Sequence, residues 1–423
     1  MEFHSGKEFA ANLDQADPLR QFRDQFVIQD PSLIYMDGNS LGRLPVSVSQ
    51  AVTQVINEQW GENLIQSWNQ GWWEAPLMVG EKIASLVGAA PSQVIISDTV
   101  STNLFKLTLS ALALQPNRKK VITDSLNFPS DLYILQGCTR LLGDHHQIVR
   151  IGSRDNDISP DLDMLYEAID EQTALVTLSQ VVFKSGYLYD VQTITEKAHR
   201  AGALVIWDLC HSVGVMPIDL DAWNVDFALG CTYKYLNGGP GSPAFLYVNQ
   251  RLQEKAISPI WGWWGQSSPF DFDLEYSPAV GMQRFQTGTQ PIISLMCLDA
   301  ALGPILQAGI PAVREKSIRL TEYFIQLFDD ILQPLGYFLG TPRQASRRGS
   351  HVSLRHPEGY RINRVMIDEL SLVPDFRTPD NIRFGLAPIY TTFTEVWEAV
   401  DRTRKVVQNR LFEKIPKERL IVT

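Results

Sequence analysis

The stretch DFALGCTYKYLNGGPG, residues 226–241, sets a short apolar run against a single lysine, then loosens the chain with three glycines and a proline. Phe227-Ala228-Leu229-Gly230 reads as a strand buried on both faces, because it lacks the alternation of a half-solvated strand. Lys234 follows directly, between Tyr233 and Tyr235. Taken alone, a lysine beside a Gly/Pro turn is a solvated loop residue, since its ammonium is strongly hydrated. The alternative is a nucleophilic lysine in a partly desolvated pocket, with a turn that lets ligands approach the backbone.

Working outward, similar runs recur at QVIISD (93–98), KVITD (120–124), QIVRIG (147–152), ALVTLSQ (174–180), ALVIWDL (203–209) and AFLYVN (244–249). Helical segments such as NLFKLTLSALALQ (103–115) and ITEKAHRAG (194–202) lie between several of them. Repeated strand–helix–strand order predicts an α/β fold with a mostly parallel central sheet. After about residue 290 the pattern changes. HVSLRH (351–356) and IRFGLA (382–387) read as strands, and 362–372 and 392–412 as helices. This predicts a small C-terminal α+β domain over 296–423, a large domain over 51–295, and an N-terminal segment, 1–50, that joins the small domain and subunit contacts. The first 30 or so residues read as helical and wrap against the rest.

The chain has 423 residues, 44% apolar and 20% charged, enough to bury a core without disulfides or metal. Its net charge of −10 argues against nonspecific nucleic-acid binding. The basic run Arg343, Arg347, Arg348 reads as a solvated loop. Cys138, Cys210, Cys231 and Cys297 are too far apart in sequence for a CxxC metal or redox pair, which fits a reducing cytoplasm. The first residues carry charge throughout, unlike a secretory leader. No apolar run approaches membrane-spanning length.

Ligands of open α/β sheets bind at the carboxyl ends of the strands. Asp208 and His211 lie at one such end, Ser179 at another, and Phe128 and Asp131 after a third. Val100 and Ser101 open a helix after a fourth, and Lys234 follows a fifth. Each has a plain structural reading: Asp as a turn former, Ser and Thr as helix caps, His211 as a structural histidine. Together they suit pyridoxal 5'-phosphate. Its phosphate fits a helix N-terminus, its ring nitrogen needs a carboxylate such as Asp208, and its aldehyde needs an amine such as Lys234. A GxGxxG fingerprint is absent.

YMDGNSLGRLP (35–45), FPSD (128–131), DLCHSVG (208–214), CTYKYLNGGPG (231–241), GWWG (262–265) and IRFGLAPIY (382–390) resemble the kynureninase family, in order, over nearly the whole chain. The resemblance implies the type I fold of pyridoxal-phosphate enzymes and hydrolytic Cβ–Cγ cleavage of L-kynurenine to anthranilate and L-alanine in tryptophan degradation. It implies that Lys234 holds the cofactor and moves the α-proton. Tyr233 would bond the phosphate and carry a proton, and Asp208, with His211 beside it, would pair with the ring nitrogen. Phe128 would stack on the ring, Asp131 would sit near its polar edge, and Val100, Ser101 and Ser179 would surround the phosphate. Arg383 would grip the substrate carboxylate, and Ser40 would line the pocket. Trp263 and Thr289 match positions that reach the neighbouring subunit's cofactor, so the resemblance implies a homodimer with shared sites.

Thr289 stands where the animal enzymes have Asn, and tryptophans in WNQGWWEAP (68–76) stand near their pocket histidine. Both departures predict a preference for kynurenine over 3-hydroxykynurenine. The alternative within the fold is a cysteine desulfurase-like lyase or an aminotransferase. A desulfurase needs a reactive cysteine on a late mobile loop, whereas Cys297 lies in ISLMCLDAAL, which reads as a buried helix.

Overall fold

The computed structural model describes residues 4–418, so the outermost residues of the segments 1–50 and 296–423 lie outside the described residues. After a short strand β1 (Ile34–Tyr35) come β2 (Val94–Ile96), β3 (Lys120–Asp124), β4 (Gln147–Ile151), β5 (Thr173–Ser179), β6 (Leu204–Asp208), β7 (Phe227–Gly230) and β8 (Phe245–Val248). The last seven form one sheet in the order β2-β8-β7-β6-β5-β3-β4. β3 to β7 pair in parallel, and β8 runs against both of its neighbours, β7 and β2.

Every residue of β5, β6, β7 and β8 is buried, which explains their unalternating apolar sequences. β6 packs Val205 and Trp207 into one apolar cluster and Leu204 and Ile206 into another, so both faces of the sheet are covered. The helix read at 103–115 starts earlier, at Val100, because Thr99 caps it by accepting from the amide of Thr102 at 3.3 Å.

The C-terminal part adds β9 (Phe338–Leu339), β10 (His351–Arg355), β11 (Leu372–Val373), β12 (Asp375–Arg377) and β13 (Asn381–Gly385). Four of these form an antiparallel sheet, β12-β13-β10-β9, while β11 pairs in parallel with β1. This region has its own core around Tyr323, Phe324, Phe384 and Val396, and the N-terminal helix Lys7–Gln15 adds Ala10 and Leu13 to it. Asp14 accepts from the amides of Phe393 and Thr394 at 2.6 and 3.0 Å, so the start of the chain caps the helix Phe393–Gln408.

The basic run is not a solvated loop. Arg348 is fully buried and donates to the carbonyls of Pro342 and Arg343 and to Glu322. A guanidinium has five donors in a fixed fork, enough to satisfy the carbonyls of a tight loop from inside. Arg347 bonds the Tyr187 hydroxyl at 3.2 Å, and the exposed Arg343 pairs with Asp329. No single helix among the described residues is long and apolar enough to cross a membrane.

β3 ends in Asp124, which is fully buried and accepts from the Tyr189 hydroxyl and from the amide of Leu126 at 2.9 Å. Burial pushes its carboxyl up to about 6. The folded state therefore binds this proton more tightly than the unfolded chain does. The resulting stabilisation is complete below about pH 4 and is lost as pH rises through about 6. Asp124→Asn keeps an acceptor for Tyr189 and loses the titration. The melting temperature of the wild type relative to Asp124→Asn should fall as pH is raised from about 4 to about 7; a constant difference across that range would contradict the assignment.

Candidate active site

The carboxyl ends of β2, β3, β5, β6 and β7 meet at one edge of the larger sheet, and a cavity of about 220 Å³ opens there. The register explains the placement. Ser179, the last residue of β5, lies opposite Asp208, the last residue of β6, and Asp208 lies opposite Leu229 of β7. Neighbouring parallel strands thus deliver a hydroxyl, a carboxylate and, one turn past β7, Lys234 to one side of the molecule.

Ser40, Val100, Ser101, Phe128, Asp131, Ser179, Asp208, His211, Tyr233, Lys234 and Arg383 all line this cavity. Trp263 and Thr289 do not. Both lie on the surface, Trp263 within an aromatic cluster with Trp68, Trp73, Trp264 and Phe270.

Lys234 is half-buried, and its Nζ lies 2.9 Å from His211 Nε2. Burial, and next the Lys234 charge, push His211 well below the usual histidine range. His211 is therefore neutral and its Nε2 accepts from the ammonium. The His351 ring lies 5.7 Å from that of His211, and burial lowers it to about 3, so it too is neutral.

Asp208 accepts from the amide of Cys210 at 2.7 Å and from the Ser179 hydroxyl at 3.3 Å, and Ser179 also bonds Asn127. Asp131 is buried beside Asp208. Burial first, then the Asp208 charge, push the Asp131 carboxyl well above its ordinary value. The Tyr233 phenol is pushed up by the neighbouring Cys231 and by burial, so it stays a neutral O–H donor.

Two helices, Val100–Ala113 and Pro129–Leu141, begin at the cavity, and their first-turn hydroxyls, Ser101 and Ser130, are 3.0 Å apart. Helix N-termini carry unsatisfied amides and a partial positive charge, the environment an anion needs.

At the opposite side Arg383 is fully buried. Its Nε donates to Asp375 Oδ1 at 2.6 Å, Nη2 donates to Asp375 Oδ2 and to Ser40 Oγ at 3.1 Å, and Nη1 donates to the Phe183 carbonyl at 2.5 Å. Burial tends to raise the Asp375 carboxyl, but the Arg383 charge and hydrogen bonds outweigh it and hold it near 2. Arg377 pairs with the same carboxylate at 2.7 Å and also lines the cavity. The loop 38–42, GNSLG, is locked against the lysine loop: the Gly42 amide donates to the Tyr233 carbonyl at 2.8 Å. A Cβ at Gly42 would overlap the Lys234 carbonyl oxygen and Asn237 Oδ1, so glycine is required by backbone contact.

Asp375, Arg377 and Phe183 also belong to the site and were not found from sequence, while Ser130, Cys210 and Asn39 lie inside stretches that were read without being given a role. Asp375 and Arg377 sit on a three-residue strand whose alternating charges resemble a turn. Asn39 was within reach, since it lies inside the GNSLG motif.

These residues fit pyridoxal phosphate. Two buried carboxylates, Asp131 and Asp208, lie side by side in the pocket, which is the setting for a protonated ring nitrogen. Paired helix N-termini suit the phosphate. Among the described residues the Lys234 nitrogen has a neutral histidine and no carboxylate as its hydrogen-bond partner, so no ion pair has to be broken before it meets an aldehyde.

A family model described as the kynureninase C-terminal domain matches residues 313–403. The chain is 41% identical to a kynureninase of Pseudomonas fluorescens over 94% of both chains, and 41% identical to one of Burkholderia mallei over 95% of both. Among solved structures, it superposes on a cysteine desulfurase of Thermococcus onnurineus with a TM-score of 0.79 at 19% identity, covering 92% of this chain and 98% of that one. A cysteine desulfurase of Escherichia coli gives 0.77 at 18% identity, covering 94% and 99%. At such identities these two likenesses establish the type I fold and nothing finer. Similarity to the curated relatives over nearly their whole length goes further: the chain belongs to the kynureninase family of pyridoxal-phosphate enzymes.

Proposed function

We propose that the cavity hydrolyses the Cβ–Cγ bond of L-kynurenine, giving anthranilate and L-alanine. The observation that carries this reading is the convergence of Lys234, Asp208 and Arg383 on one cavity, in a chain so similar to kynureninases. Pyridoxal phosphate supplies an aldehyde that takes up the substrate amine and a ring that withdraws electrons from the reacting carbons.

The chain's own residues do the rest. Asp208 would hold the ring nitrogen protonated, with Asp131 beside it and His211 next to the lysine. The Val100 amide, Ser101 and Tyr233 would surround the phosphate and Phe128 would face the ring, while Ser179, whose hydroxyl bonds Asp208 and Asn127, would sit on the ring-nitrogen side rather than at the phosphate. Lys234 Nζ would hold the cofactor and move the α-proton. Water adds to the γ-carbonyl, the Cβ–Cγ bond breaks, and the neutral Tyr233 hydroxyl gives its proton to Cβ. Arg383 takes the substrate α-carboxylate next to Ser40. Its fork already holds Asp375, so substrate must displace part of that contact, while Arg377 keeps Asp375 paired.

Trp263 and Thr289 serve the second subunit's site in a homodimer. Support comes from the apolar surface around Trp263, where Trp261, Phe270, Phe272 and Val280 are also exposed. Patches of this kind mark interaction surfaces. The desulfurase alternative is disfavoured by Cys297. It is half-buried on the helix Ile292–Ala301, less buried than the sequence implied, and burial pushes its thiol up rather than activating it.

Purified protein with added pyridoxal phosphate should release fluorescent anthranilate from L-kynurenine, with a higher kcat/KM than for 3-hydroxykynurenine. Lys234→Ala should lower the rate by roughly 10³-fold or more. Absence of anthranilate from a cofactor-loaded wild type would contradict the reaction, and faster turnover of the hydroxylated substrate would contradict the specificity. Shared sites have their own check. Lys234→Ala and Trp263→Ala proteins, each nearly inactive, should regain roughly a quarter of wild-type activity when unfolded and refolded together, since half the dimers then hold one intact site. No recovery in refolded mixed dimers would contradict sharing.

A further inference from the structure

A second cavity, of about 510 Å³, adjoins the first and shares with it Phe128, Phe183 and Arg377. Phe128 and Phe183 pack edge to face with centroids 5.2 Å apart, so these rings form the wall between the two spaces. On the far side the lining is apolar at Leu126, Pro129 and Leu132 and polar at Lys184 and Arg377, with Asp157 as its one carboxylate.

Lys184 follows the wall residue Phe183 directly. Its ammonium has no hydrogen-bond or ion-pair partner among the described residues, unlike the paired Lys82, Lys106, Lys120 and Lys316. Arg377 gives one nitrogen to Asp375 and another to the Phe376 carbonyl at 3.1 Å, which leaves N–H donors unspent. Aromatic walls with two cations in the same lining are the complement of a flat ring that bears a carboxylate.

The proposed reaction makes such a molecule. Kynurenine carries a neutral ketone at Cγ, and hydrolysis turns that carbon into the carboxylate of an aromatic acid. A negative charge thus appears on the aryl fragment only after the bond is broken, in a cavity of which Phe128 and Phe183 form one wall. We propose that the second cavity is a product subsite, in which Lys184 and Arg377 take the new carboxylate of the aryl acid and draw it away from the reacting groups. This inference rests on the proposed kynurenine hydrolysis. It adds a site for the leaving product, distinct from the Arg383 grip on the amino-acid end.

The test is equilibrium binding to the cofactor-loaded enzyme, measured by calorimetry for anthranilate, benzoate and aniline, alongside steady-state turnover of L-kynurenine. Anthranilate and benzoate should bind and aniline should not, since the carboxylate carries recognition. Lys184→Ala should weaken anthranilate binding about tenfold, the loss of one charge-assisted contact. KM and kcat for kynurenine should stay within about twofold, and Lys184→Arg should restore binding. Unchanged anthranilate affinity in Lys184→Ala, or equal binding of aniline, would overturn the subsite while leaving the hydrolysis reading intact. An equal rise in KM would also overturn it, because Lys184 would then serve substrate entry. Absence of kynurenine cleavage by the wild type would instead remove the reading on which the inference rests.

Discussion

The buried guanidinium of Arg383 is the contact on which the site's assembly depends. It joins Asp375 of the small sheet, Ser40 of the GNSLG loop and the backbone of Phe183 beyond β5. Removing it would strip Asp375 of a buried charged partner and leave that carboxylate with its contact to Arg377. The arginine therefore fixes the two sheets and the N-terminal loop relative to one another. It also presents a cation to the cavity, bound to groups that a substrate carboxylate could replace. On the proposed reading structure and recognition are coupled through it: a carboxylate that displaced Asp375 would act on all three segments at once.

Against this frame stands a second constraint, the parallel register of β5, β6 and β7. Ser179 and Asp208 lie side by side because their strands are in register, and Lys234 arrives past the next strand along. Gly42 closes the arrangement by bringing the GNSLG backbone against the lysine loop, where a side chain would not fit. Asp208 and Lys234 thus come from the larger sheet and Arg377 and Arg383 from the smaller one, and they meet only when the two sheets are packed together.

Much of this was legible in the sequence, for identifiable reasons. The apolar runs ending in Asp208 and preceding Lys234 gave strands whose carboxyl ends could be counted, and a parallel sheet puts such ends on one edge. Asp375 and Arg377 were not legible, because a three-residue strand rich in charge has no periodicity to read. Arg348 was misread as solvated because a fully buried arginine is rare without a ring of carbonyls, and loop carbonyls leave no trace in side-chain pattern. Trp263 and Thr289 lie outside the cavity of their own chain, as the resemblance implied, although nothing in their local sequence pattern signals it.

The central claim is that Lys234 is the cofactor's point of attachment. The direct measurement is to reduce the pyridoxal-phosphate-loaded enzyme with borohydride, digest it, and locate the modified residue by mass spectrometry. The account predicts a phosphopyridoxyl group on the peptide carrying Lys234 and on no other lysine. Labelling of Lys106 or Lys184 in its place would contradict the assignment of the cavity and of every role built on it.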